Sequence, residues 1–313
     1  MPVRTKTSTG DSDTELKFGN ATVTLSNLQK IYWPKDGYLK KDLIEYYVKI
    51  ADYILPYLKN RPMSLFRNPN GIGGLGFYQK DIAGKAPAYA ETKLIFSEST
   101  NKDVEYMLCN NKATLAYLAN LGCIEMNPWN SRVESMDTPD YMVIDIDPSD
   151  GNTFDQVIET AKVVNAVLQK AKADSCCKTS GATGIHVYVP MGRKYNYDQV
   201  RAFGQVVATL VQEALPDFTS LERSLKKRGR KNIYIDYLQN SRGQTLASVY
   251  SLRPKPGAPV STPIEWKELK PGIYPAQFNI KSIFKRLEKK GDLFKPVLGK
   301  GIDLKKSLKL LGA

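Results

Sequence analysis

One histidine stands among 313 residues. Metal chemistry built on several imidazoles is therefore excluded. Any bound cation must take oxygen ligands, which favours Mg²⁺ or Mn²⁺. The four cysteines, Cys109, Cys123, Cys176 and Cys177, show no C-x-x-C spacing, and the adjacent pair is poorly placed to ligate one zinc ion. They read as reduced, structural thiols of a cytosolic protein. No apolar run approaches the ~18 residues of a spanning helix. The N-terminal MPVRTKTSTGDSDTELK lacks the apolar core of a secretory signal, so no membrane partner is expected. Acid is also scarce: 32 Asp and Glu face 45 Lys and Arg, leaving +13. Such a surplus suits a polyanion, nucleic acid first and an anionic surface second; a basic protein without such a partner is the plain alternative.

The length allows one large domain or two modest ones with a real core. Residues 1–17 are polar and are expected to be a disordered tail. After a short strand signal, ATVTLSN, the residues Leu43, Ile44, Tyr47, Ile50, Ala51, Ile54 and Leu58 recur at helical spacing. They predict a helix of about five turns from Lys40. GIGGLGF (71–77) has neither a G-x-G-x-x-G leading into a helix nor a Walker lysine, and reads as a loop or hairpin. A second helix is expected over 104–121.

Strands then alternate with helices. Strands are expected at 141–146, 185–190, 232–238 and 245–254, with helices near 154–172 and 198–214. Such alternation argues for a sheet core with helices packed against it, α/β or α+β. From 278 a Lys-rich amphipathic helix followed by loop is expected. No internal repeat is evident.

The stretch YMVIDIDPSDG (141–151) places two carboxylates in an otherwise apolar strand. Alternation turns Asp145 and Asp147 to one side, with Cα atoms roughly 6.5–7 Å apart, and Ile144 and Ile146 to the other. Two acids so spaced can hold one or two hard cations ~3.5–4 Å apart; two solvated strand-end acids are the alternative. KTSGATGIHVYVP sets Ser180 and two glycines on a turn before His186. The turn's N–H groups can cradle a phosphate, or they close a hairpin beside a satisfied core histidine. In NIYIDYLQN, Asp236 ends an apolar strand as Asp145 does, either as a third metal ligand or as a strand-end acid.

Taken in order, D-x-D, then S-G-x-x-G-x-H, then a strand with Asp resembles the archaeo-eukaryotic primase superfamily. The chain is most similar to the polymerase (primase–polymerase) domain of bacterial ligase D and its stand-alone relatives in non-homologous end joining. LSNLQKIYWPKDGYLKKDLIEYY, GFYQKD, ATLAYLANLGCIEMNPW, PDYMVIDIDP, KTSGATGIHVYVP and IDYLQNSRGQTLASVYSLRPKPGAPVSTPIEW carry the likeness in family order, over about residues 22–270. The resemblance implies an α+β fold with a primase-type core, mixed β-sheets including an RRM-like catalytic part, and flanking helices. It implies a catalytic domain over 18–290, with 18–135 binding DNA and 136–270 catalytic, and a C-terminal tail over 291–313.

The same resemblance assigns residues. Asp145, Asp147 and Asp236 would hold two ions, manganese or magnesium, and carry nucleotidyl transfer. Ser180, His186, Gln239 and Arg253 fall on nucleotide-site positions. Lys30 and Lys40 match lysines that grip a 5′-phosphate at a gap or break, and a solvated lysine cluster is the alternative. Phe77 and Tyr78 match aromatics that stack on template, with Arg67 beside them on the DNA. Two positions depart from the family pattern. Asn127 replaces a usual histidine and Thr183 a frequent lysine, each a neutral hydrogen-bonder for a cation.

The implied activity is template-directed gap filling at DNA ends, with ribonucleotides preferred over deoxyribonucleotides. The nucleotidylated lysine of ligases lies in K-x-D-G, of which only KDG at 35–37 occurs. Sealing therefore needs another polypeptide or a ligase module outside this sequence; a separate ligase and a Ku-type end-binding protein are the expected partners. The competing readings are a DxD glycosyltransferase and a non-catalytic DNA-end binding module.

Overall fold

The computed structural model describes residues 14–98 and 100–313. Of the tail expected over 1–17, residues 1–13 lie outside the described residues. Thr14–Lys17 are not tail: they belong to β1 (Thr14–Phe18), which pairs antiparallel with β2 (Ala21–Leu25). A second hairpin, β3 (Ile31–Trp33) and β4 (Tyr38–Leu39), leads into α1 (Lys40–Leu58). The helix starts at the expected residue because Asp42 Oδ2 accepts from the Leu39 N–H at 2.6 Å. Leu43, Ile44, Tyr47, Ile50, Ala51 and Ile54 form its buried stripe.

Next come β5 (Met63–Arg67), β6 (Phe77–Gln79), β7 (Glu91–Ser97), β8 (Lys102–Leu108), α2 (Lys112–Asn120) and β9 (Cys123–Pro128). Strands β6, β5 and β9 form a three-stranded antiparallel sheet. The stretch 71–76 is the loop of its β5–β6 hairpin. The helix expected from 104 is shorter, because 102–108 is a strand paired with β7. Val104, Tyr106 and Leu108 alternate inward with strand-favouring side chains. The helix begins only where Asn111 Oδ1 accepts from the Thr114 N–H at 2.8 Å.

The second half holds β10 (Tyr141–Asp147), α3 (Phe154–Lys170), β11 (Cys176–Thr179), β12 (Ile185–Pro190) and α4 (Tyr197–Ala214). After them come β13 (Thr219–Ser220), α5 (Leu225–Arg228), β14 (Ile233–Asp236), β15 (Pro263–Ile264), α6 (Ser282–Lys290) and α7 (Leu304–Leu311). Its sheet runs β13-β14-β10-β12-β11-β15. Within it, β10-α3-β11-β12-α4-β14 is a βαββαβ unit in spatial order fourth, first, third, second. This is the RRM-like arrangement.

Alternation along β10 divides the molecule. Met142, Ile144 and Ile146 pack on α3 and α4 through Val157, Val164, Phe203 and Val207. Tyr141 and Val143 face the other way, into a core shared with α1, α2 and β9. Helices α3 and α4 start at capping boxes, Thr153 with Gln156 and Asn196 with Gln199. The register of β10 is pinned past the end of β14 by one side chain. Asn240 accepts from Val143 N–H at 2.8 Å and donates to Val143 C=O at 2.6 Å, acting as a further strand residue.

Residues 245–254 do not form the expected strand. They run as an irregular interior strap with isolated bridges Trp129–Thr245 and Leu252–Val260. Tyr250 adopts φ 63°, which breaks an extended course. The region 291–313 is likewise no tail. Phe294 and Val297 are core residues, Asp292 accepts from Tyr57 and Tyr250 hydroxyls at 2.6 Å each, and α7 packs on the α3 side. All four cysteines are unpaired, and Cys109, Cys123 and Cys177 are buried. Among the described residues no helix is long and apolar enough to cross a membrane.

Ile144 has no exposed surface and touches both helices' cluster. Ile144→Ala is expected to cost about 2–5 kcal/mol, measured as a lowered denaturant midpoint at unchanged slope.

Candidate active site

Register, not proximity in sequence, assembles the site. Asp145 on β10 lies directly opposite Asp236 on β14 and opposite His186 on β12, and His186 lies opposite Lys178 on β11. Directly paired residues of antiparallel strands share a face. Asp236, Asp145, His186 and Lys178 therefore form one row across four strands, on the side away from α3 and α4. Asp147 follows on the same face, where Pro148 ends β10. The three acids named from sequence thus meet on one surface.

Each acid has a distinct setting. Asp236 is buried, and its carboxylate is oriented locally. Oδ1 accepts from Leu238 N–H at 2.8 Å and Tyr234 O–H at 3.2 Å, and Oδ2 from Gln239 Nε2 at 2.9 Å. Gln239, expected at the nucleotide, instead positions an acid. Asp145 is half-buried. Burial first, then repulsion from Asp147 and Asp236, lifts its carboxyl to about 8, against the pull of Lys178 and Arg253. Asp147 is exposed at the rim; desolvation raises its pKa, opposed by Arg228, with Asp236 adding to the rise. The Arg228 guanidinium stacks 4.7 Å over the Tyr234 ring.

Among the described residues no three acidic, His or Cys side chains already close into an ion cage. The donors are all oxygen and their charge is under-compensated, a set that fits a hard divalent cation. Asp145, Asp147 and Asp236 are the residues that would hold it.

Lys178 stands on β11, behind the acids. It has 0% exposure. Its Nζ donates to Ala247 C=O at 3.0 Å and to Ser261 Oγ at 2.6 Å, because the Ser261 hydroxyl proton goes to Thr179 C=O. The remaining Nζ position meets His186 Nδ1 at 2.8 Å, while His186 Nε2 lies 3.3 Å from Asp145 Oδ1. Burial lowers the pKa of both His186 and Lys178; at His186, Lys178 and then Arg253 add to the drop, and at Lys178, Arg253 adds to it against the pull of Asp145 and Glu125. The histidine is a neutral hydrogen-bonding link, and Lys178 sets which ring nitrogen carries the proton. A lysine two residues before Ser180 gave no sequence signal, because only strand pairing reveals that it faces the histidine.

A cavity of about 280 Å³ opens over this row. Asp145, Asp147, Ser180, Thr183 and His186 line it, as do Asn127, Tyr78 and Arg253 from other segments. Ser180 Oγ accepts from Ala182 and Gly184 N–H at 3.1 and 3.0 Å, so it shapes the hairpin and can still donate its proton outward. Gly181 is required there: φ is +74°, and a Cβ would stand 2.7 Å from Arg253 Cγ. Arg253 donates to Ser180 C=O and, at 2.7 Å, to Glu125 Oε2. Glu125, also unforeseen, is buried and aims the guanidinium across the cavity mouth.

Of the remaining candidates, Tyr78 lines the cavity, and Lys30, Lys40, Phe77 and Arg67 are not among its lining residues. Lys30 and Lys40 are adjacent through Lys40 N–H to Lys30 C=O at 2.8 Å. Lys30 is exposed, with Nζ donating to Asn70 Oδ1 at 2.5 Å. Lys40 is only 5% exposed and donates to Ser26 C=O at 2.7 Å, so it is not part of a solvated cluster. Phe77 and Tyr78 stand 46% and 60% exposed on β6. Arg67 stacks 5.4 Å from the Phe77 ring and donates to Leu121 C=O and Gln79, committing its guanidinium to the aromatic strand.

This topology, with an acid triad on its open face, is that of a nucleotidyl-transferring polymerase. The solved "Polymerase Domain from Mycobacterium tuberculosis Ligase D in complex with DNA" superposes with a TM-score of 0.83 at 25% identity, covering 90% of this chain and 99% of that one. Residues 39–294 match the family described as the LigD primase-polymerase domain, and the chain belongs to that family. The Bacillus subtilis bifunctional non-homologous end joining protein LigD is 31% identical over 85% of this chain and 42% of its own length. The Pseudomonas aeruginosa multifunctional non-homologous end joining protein LigD is 30% identical over 86% of this chain and 32% of its own. The chain spans less than half the length of these two relatives. Family membership leaves the glycosyltransferase alternative without support.

The Asp145 environment makes a signed prediction. The unfolded carboxyl titrates near 4 and the folded one near 8, so with no divalent ion stability falls as pH rises across that window. Asp145→Asn is expected to raise the Tm of the metal-free protein at pH 8, with the gain shrinking to nothing near pH 4. A lowered Tm at pH 8 would refute the charge-repulsion account.

Proposed function

We propose that the protein is a divalent-metal-dependent, template-directed polymerase that fills short gaps at DNA ends during non-homologous end joining. The observation that carries this reading is the single face shared by Asp145, Asp147 and Asp236. Two divalent ions, manganese or magnesium, would supply acidification of a primer 3′-hydroxyl and neutralisation of the triphosphate. Asp145, Asp147 and Asp236, the last positioned by Gln239, would hold them. Arg253, fixed by Glu125, offers its guanidinium to phosphate oxygens, with Ser180 and His186 as hydrogen-bonding partners. Thr183 and Asn127 line the same cavity as neutral groups, so triphosphate charge falls largely to Arg253 and neighbouring Lys255. The preference for ribonucleotides over deoxyribonucleotides rests on the family resemblance.

DNA is engaged at the edge of the cavity and beyond it. Phe77 and Tyr78 present exposed rings on an edge strand next to it, where base stacking tolerates any template sequence. Exposed Lys30 offers a 5′-phosphate contact beside the start of α1, with buried Lys40 behind it, its N–H committed to Lys30 C=O. Sealing would fall to a ligase, in another polypeptide or in a further part of the same protein, with a Ku-type protein holding the ends.

The direct test is Mn²⁺-dependent extension on gapped DNA with each nucleotide type. Asp147→Ala is expected to abolish extension while binding to gapped DNA stays nearly intact; full activity in that variant would end the two-metal assignment. For the phosphate contact, Lys30→Ala is preferable to a Lys40 change, because losing buried Lys40 would orphan Ser26 C=O. Lys30→Ala should weaken binding only to DNA bearing a 5′-phosphate. An equal loss on dephosphorylated DNA would reduce Lys30 to general electrostatics.

A further inference from the structure

The cations of α6 and its N-terminal flank divide into two sets. Arg286 and Lys290 turn toward the protein, where Arg286 pairs with Glu268 at 2.5 Å and Lys290 pairs with Glu265. Lys281, Lys285 and Lys289 are exposed, and none of them makes an ion pair among the described residues. They recur every fourth residue, which on a helix gives a row about 12 Å long on one face. Like charges four residues apart weaken a helix, and among the described residues only Lys281, over the Tyr38 ring, and Lys289, in the last turn, gain an offsetting contact. Glu288 is the single acid of α6, and it too is exposed.

Contacts along α1 fix where the row lies. Lys281 Nζ sits 5.2 Å over the Tyr38 ring, Phe284 meets Tyr46 at 5.7 Å, and Asp292 just past α6 takes the Tyr57 hydroxyl. The two helices therefore run side by side in the same direction. The row starts beside the β3–β4 hairpin that carries Lys30 and Lys40 and leads away from it along α1. A DNA strand presents one charge per ~3.4 Å of axis, so such a row spans three to four phosphates.

We infer that Lys281, Lys285 and Lys289 form a contact strip for the phosphate backbone of the duplex arm downstream of a gap, beyond the terminal 5′-phosphate. This rests on the DNA-end reading proposed above. The strip contacts backbone rather than the terminal group, so it acts whether or not that end is phosphorylated, unlike Lys30.

The test is salt-dependent binding of the triple variant Lys281→Gln, Lys285→Gln, Lys289→Gln, with its fold checked by thermal unfolding. Two DNAs are compared: a gapped duplex, with and without the 5′-phosphate, and the same primer–template lacking the downstream strand. On gapped duplex the slope of log K against log salt should flatten by about 3, with either 5′-end, and stay unchanged on primer–template. Glu288→Lys should steepen it by about 1 on gapped duplex alone. An unchanged slope on gapped duplex, or equal flattening on both DNAs, would overturn the strip. Failure of the unmodified protein to bind gapped DNA at all would overturn the DNA-end reading itself.

Discussion

The pairing register of β10 against β12 and β14 is the constraint on which the rest depends. Asp145 faces Asp236 on one side and His186 on the other only in this register. A slip of one residue would exchange the faces of the strand. Asp145 and Asp147 would then enter the apolar layer beneath α3 and α4, and Ile144 and Ile146 would line the cavity. Burying two carboxylates without partners is costly, so the apolar alternation of β10 and the functional placement of its acids enforce each other. Asn240, clamping Val143 by both its N–H and its C=O, holds the register where β14 has already ended.

That same arrangement concentrates negative charge that the protein only partly offsets. Lys178 and Arg253 pull on Asp145, and buried Arg228 pulls on Asp147. The offset is incomplete, as the raised carboxyl of Asp145 records. A site left in this condition destabilises the fold and gains from binding a cation, a common compromise between stability and activity. The buried chain from Lys178 through His186 to Asp145 supplies a fixed polar backing that an apolar pocket would lack.

A second set of contacts sets the cavity relative to the β3–β4 hairpin. Trp33 Nε1 donates to Lys255 C=O at 2.9 Å, and Gly257 N–H donates to Asp36 Oδ2 at 2.8 Å. These join the β3–β4 hairpin to the strap that carries Arg253. Pro254 and Pro256 stiffen that strap by fixing φ. The separation between Lys30 and the acid row is thus held by a short connection stiffened by proline.

Local pattern made much of this legible. The stripe of α1, the alternation of β10, the turn before β12 and the strand ending in Asp236 are near-neighbour features, and they appear where the sequence places them. Where local signals competed, reading failed: Val104 to Leu108 fit a helical spacing yet pair as a strand, and 245–254 looks extended yet bends at Tyr250. The roles of Lys178 and Glu125 were invisible, since each depends on a partner from a different segment. By itself the sequence determined which residue types exist to do chemistry and which way each faces within its own strand or helix, because side-chain alternation is a property of the local backbone. Only the tertiary structure decided that Asp236 stands opposite Asp145, that Gln239 serves an acid and that Lys40 is buried, because hydrogen bonds between strands distant in the chain carry that information.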